Sequence, residues 1–229
     1  MIRTLATVAL TLSVLAGTGT ASGAEVRFRA GSANFAFDLP AGYCDGLSPG
    51  PTAAEGLQRD LDLVRQRGVE VKAMAMPCDQ LSGLRSNIRH GQTLRVLAFG
   101  ILTRDGGAIP ADGSGDVFWQ AIRNSARYLK AFASPDAILD VVRELLDQRN
   151  VPARIAAIEL ATDRDRIGVA AAGELDRSGR QDPFRAAALA EPIAGVFLVT
   201  SVVEFATVSG DTASLTAAHE LRAELREVD

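Results

Sequence analysis

Histidine, cysteine, lysine and tryptophan are all scarce in this chain. Its 229 residues include two His, two Cys and one Trp, and Lys occurs only at Lys72 and Lys130, so nearly all of the basic charge is arginine. So few His and Cys exclude most zinc arrangements, which draw their ligands from those two residue types. The phosphate-binding Gly-x4-Gly-Lys loop, the G-x-G-x-x-G turn and the G-x-S-x-G nucleophile elbow are missing, which removes the local signatures of nucleotide, dinucleotide and serine-hydrolase chemistry. An excess of base is missing too: 24 Lys plus Arg stand against 28 Asp plus Glu, a net charge of −4. That balance argues against nucleic acid or an anionic membrane surface as a partner. No catalytic residue and no cofactor is assigned from these patterns.

What is present begins with an export signal. Arg3 precedes an apolar stretch from Leu5 to Ala16, and small residues follow up to Ser22-Gly23-Ala24. This order of charge, short apolar run and small-residue site reads as a secretory signal peptide over residues 1–24, cleaved before Glu25. The run is well short of the roughly 20 residues that span a bilayer, so no membrane insertion is expected after cleavage. Leu15-Ala16-Gly17 is followed by Thr18 where a lipoprotein would need Cys, so no lipid anchor is expected. The arginine, alanine and glycine bias suits a GC-rich bacterium, and export there leads to the periplasm. In that oxidising compartment the two cysteines, Cys44 and Cys78, are expected to form one disulfide.

Residues 25–229 read as a single α+β domain. Val26–Ala30 and Asn34–Leu39 alternate and flank Gly31-Ser32-Ala33, a hairpin signal. Thr52-Ala53-Ala54-Glu55 spells a capping box, and Leu57, Leu61 and Val64 continue at helical spacing, so a helix is expected over 53–67. Strands are expected over 69–76 and 94–102, the second closed by the turn residues Asp105-Gly106-Gly107. Asp116 and Ser134-Pro135 mark the starts of helices over 117–132 and 135–149. A second hairpin joins 154–161 to 167–175. Residues 176–192 are polar, with Asp182-Pro183 expected to start a short helix. Ile193–Val208 is apolar on both alternating faces apart from Glu204, and such a strand must be covered on both sides. A closing helix is expected over 214–228, with Leu215, Ala218 or His219, Leu221 and Leu225 inward. These elements predict an α/β/α sandwich around a mainly antiparallel sheet.

Four patterns are candidates for chemistry. Asp112, Ser114 and Asp116 place oxygen ligands at alternate positions of a glycine-rich loop, a weak metal site that also suits a loop feeding a helix N-cap. Asp163, Asp165, Gly168 and Glu174 fall at the first, third, sixth and twelfth steps of a calcium loop, but Ile167 fills the fifth step and a hairpin accounts for the segment better. His90 follows Arg85 and Arg89 and precedes Arg95, which suits an anion or, more simply, a solvated basic loop. His219 reads as a helix-surface residue. Trp119 and Tyr128, on the predicted 117–132 helix, are core residues or contact anchors.

Leu39-Pro40-Ala41-Gly42-Tyr43-Cys44, with Cys78-Asp79-Gln80-Leu81 after the helix, resembles a group of exported proteobacterial proteins of unknown function that carry an LPxGYC segment and a second Cys before a QL pair. The resemblance covers residues 35–85, supports the disulfide and the periplasm, and implies no activity. The order of hairpin, helix, strands and C-terminal helix is similar to the PsbP-like fold, which implies a partner-binding or assembly role. The expectation is therefore a periplasmic or secreted, non-catalytic binding or accessory protein with an envelope protein as partner. The alternative is an exported hydrolase using carboxylates or a metal near Asp112 and Asp116.

Overall fold

The computed structural model describes residues 24–48, 61–62, 64–66, 68–81, 94–112, 117, 119–121, 124, 153–162, 165–177, 180–205 and 215–229. The predicted signal peptide up to Gly23, the 135–149 helix, His90 and Tyr128 lie outside them. Two antiparallel sheets dominate. A small one is built from β1 (Glu25–Ala30), β2 (Ala33–Asp38) and β11 (Arg226–Val228), in the order β1-β2-β11. The large one contains β3 (Tyr43–Asp45), β4 (Val69–Pro77), β5 (Leu94–Arg104), β10 (Val196–Phe205), β9 (Arg180–Ile193), β8 (Ile167–Arg177) and β7 (Ala153–Thr162), paired in that order. The two-residue strand β6 (Gly107–Ala108) folds back on β5. Two helices are described in full, α1 (Cys78–Leu81) and α2 (Leu215–Ala223), and residues 61–62, 64–66, 117, 119–121 and 124 are also helical. Among the described residues no helix is long and apolar enough to cross a membrane.

The alternation that marked β1 and β2 fixes how the two sheets meet. Val26, Phe28 and Ala30 point inward while Glu25, Arg27 and Arg29 face solvent, so the apolar face must find a partner. It finds the large sheet: Phe99 of β5 stacks on Phe28 at 5.5 Å and packs against Phe37 at 4.9 Å. Leu215, Ala218 and Leu221 of α2 complete the cover on this face. The opposite face receives Leu61 and Val64 from the helical residues 61–62 and 64–66, and Trp119, which stacks on Phe197 at 4.7 Å. The fold is thus α+β with an antiparallel central sheet, but one covering layer is a second sheet joined by α2.

Turn chemistry sets the hairpins. Asp105 and Gly106 both adopt positive φ between β5 and β6, as Ala194 and Gly195 do between β9 and β10, the left-handed pair that a two-residue hairpin loop needs. The tip of the first hairpin docks on the second of these turns: Ser32 N–H donates to Ala194 O at 3.1 Å. Gly31, at φ 61°, passes so close that a Cβ there would lie 2.0 Å from Ala194 O.

Three expectations change. Residues 180–193 form a strand and not a polar loop with a short helix from Asp182-Pro183. Pro183 is tolerated because β10 ends at the pair Phe205–Phe184, and Pro192 because β8 ends at Ile167–Ala190; each proline sits where a neighbour has stopped and no ladder N–H is needed. The C-terminal helix stops at Ala223, and Arg226–Val228 return as a strand on β2. A short strand around Cys44 pairs with the end of β4.

Candidate functional site

On the face of the large sheet that packs under the small sheet and α2, core gives way to polar residues along a line across the strands. Leu97, Val202, Ala187 and Ala170 stand opposite one another on β5, β10, β9 and β8, buried under the small sheet and α2. One row further out on the same face, Arg95 is opposite Glu204, Glu204 opposite Arg185, Arg185 opposite Ala172, and Ala172 opposite Ala157. Among the described residues the covering layer ends between these rows, so the outer one is a polar ledge with an alanine floor.

Arg95 and Glu204 pair at 3.3 Å with side chains 40% and 23% exposed. The contact is ionic only, because Arg95 Nε is buried without a hydrogen bond. The side chain of Arg185, a partly buried residue, makes no ion pair or hydrogen bond among the described residues. Its guanidinium is a planar fork of donors, which matches a carboxylate or another anionic group. The row carries one net positive charge.

Tyr43 flanks the row. Burial raises its phenol above the usual value; Arg95 opposes the shift and Glu204 adds to it. The unfolded chain therefore releases this proton more readily than the folded one. The corresponding stability is intact below about pH 10 and is lost as pH rises through the folded value. Alkaline titration followed by near-ultraviolet absorbance should show Tyr43 ionising above the usual phenol range, as the component removed by Tyr43→Phe. An unchanged high-pH limb in that variant contradicts the assignment.

A second charged cluster serves the fold. Glu191 of β9, 7% exposed, accepts from Arg166 at 2.8 Å and from Arg222 of α2. It pins α2 to the sheet, and its carboxylate is committed to that task.

Cys44 and Cys78 form a disulfide with Cα atoms 5.0 Å apart, as expected from the sequence. Trp119 is a core residue, 3% exposed. His219 is exposed on α2 while Ala218 is the buried one. Asp112 lies exposed in a bend, and Ser114 and Asp116 lie outside the described residues. Among the described residues no three His, Cys, Asp or Glu side chains converge on a metal position. Gly168 and Glu174 are six residues apart along extended β8, a separation of about 20 Å, so this segment is the hairpin expected and not a calcium loop. An open groove of about 610 Å³ is lined by Asp62, Arg65, Gln66, Thr103, Arg104 and Asp105, where the two signs of charge balance.

Sequence reasoning missed the ledge. Glu204 is visible as the one charge in an apolar run, which is its only local signal; Arg185 falls in the polar 176–192 segment, where a short helix from Asp182-Pro183 is expected.

No protein-family model matches the chain, and no curated protein matches it. Among solved structures it is similar to LpqN of Mycobacterium tuberculosis, described as involved in cell envelope biogenesis, with a TM-score of 0.38 and 14% identity over 90% of this chain and 91% of that one. Likeness of that degree carries no argument about the role of this chain.

Proposed function

We propose that this chain is a periplasmic or secreted accessory protein of the cell envelope, which binds an envelope protein and performs no catalysis, with the polar ledge as its contact surface. The observation that carries the reading is Arg185, a partly buried residue whose side chain has no partner among the described residues, beside the Arg95–Glu204 pair. A partner's carboxylate or other anionic group would supply the counter-charge that Arg185 lacks among the described residues. The disulfide supports an oxidising compartment, and the Leu5–Ala16 run followed by Ser22-Gly23-Ala24 supports delivery there without a lipid anchor. Kinship with the exported LPxGYC proteins and with the PsbP-like fold belongs to the same reading.

The test is cross-linking of a tagged chain in intact cells, with mass spectrometry of what is recovered. One dominant envelope partner is expected, recovered about tenfold less with Arg185→Glu. Recovery of no other envelope protein would remove the accessory role. A partner captured equally by the variant would remove the ledge from it.

A further inference from the structure

The strand at one end of the large sheet is charge-complementary to itself. On the ledge face of β7, Arg154, Ala157 and Glu159 stand opposite Glu174, Ala172 and Ala170 of β8. Arg154 and Glu159 therefore lie at equal steps on either side of Ala157, because a bulge between Ile155 and Ala157 absorbs one extra residue. The two charges are about 13 Å apart along the strand, too far to pair with each other. Both are exposed, and neither side chain makes an ion pair or a hydrogen bond among the described residues. Ile158 and Leu160, on the other face, are half-buried. Among the described residues β7 ends the strand order and β8 is its one neighbour.

We propose that β7 pairs edge to edge and antiparallel with β7 of a second copy of this chain, about a two-fold axis normal to the sheet at Ala157. That operation sets Ala157 beside its mate and Arg154 opposite Glu159 of the second copy at both ends of the contact. Cross-strand pairs of opposite charge favour this register, whereas a parallel arrangement would set Arg154 beside Arg154. Charges on an edge strand ordinarily repel a copy; here their spacing admits one register and rejects the others. An unrelated strand has no reason to carry the reversed charges at this spacing, and a second copy carries them by symmetry. The pair extends the sheet across the two-fold and gives Ile158 and Leu160 neighbours from the other copy.

Sedimentation equilibrium of the chain, expressed in full and purified from the host, tests this from about 1 to about 100 μM. The unaltered protein should dimerise in that range. Glu159→Arg gathers four arginines around the axis and Arg154→Glu gathers four glutamates, so each alone should weaken the dimer at least about tenfold. An equimolar mixture of the two should form the mixed dimer with near-original affinity. Both residues are exposed, and a thermal melt of each variant within about 2 °C of the original confirms that the fold is kept. A chain that stays monomeric throughout, or single variants whose mixture associates no better than either alone, overturns the proposal.

Discussion

Replacing Cys44 and Cys78 together by alanine should lower the melting temperature by roughly 10 °C. The disulfide joins positions 34 residues apart, and a loop of that length constrains the unfolded chain by about 3–4 kcal/mol. In a chain of this size each kcal/mol is about 2–4 °C. Local structure argues the same way. Strand β3 has three residues and pairs with β4 alone, so few contacts hold it once the bridge is gone. Cys44 is buried beside Met74 and Met76, which is why alanine serves better than serine, whose hydroxyl would be buried without a partner. The unaltered protein under reductant should melt with the double variant, and the variant should not respond to reductant. Equal melting of reduced and oxidised protein would mean that the bridge does not bear on stability.

Phe99→Ala should cost about 3–5 kcal/mol, the range for emptying a buried aromatic site. Phe99 is fully buried and is the ring of the large sheet that meets both Phe28 and Phe37. Its loss acts on the contact between layers more than on either sheet. Hydrogen exchange should therefore quicken in β1 and β2 well before it quickens in β10, which remains paired on both sides with β5 and β9. Uniform quickening would show that the small sheet does not detach as a unit. Phe99→Leu, which keeps most of the volume, should lose far less stability.

The strands most legible in the sequence are those whose burial alternates or is complete on both faces. β1 shows period-two alternation, and β10 is apolar on both sides, so each announces its environment locally. The Asp105-Gly106 turn was readable because those residues tolerate positive φ; Ala194-Gly195 takes the same conformation with an alanine that gives no such signal. β9 was illegible for a different reason. Its prolines and its alanine run are local arguments against a strand, overruled because β10 and β8 end beside the prolines and pack around the alanines. The ledge could not be read at all. Arg95, Arg185 and Glu204 are neighbours only through the registers of β5, β9 and β10, and a register shift of one residue would turn each to the other face.

By itself the sequence determined the mixed α+β class, most of the strands and both cysteines of the bridge, because hydrophobic period, turn residues and cysteine count are local quantities. Only the tertiary structure decided that a second sheet covers one face, that Arg226–Val228 close it, and that a polar row marks where the cover stops. Those features depend on which strands meet and in what register, and pairings between distant segments are set by the packing of the whole core rather than by any one stretch of chain.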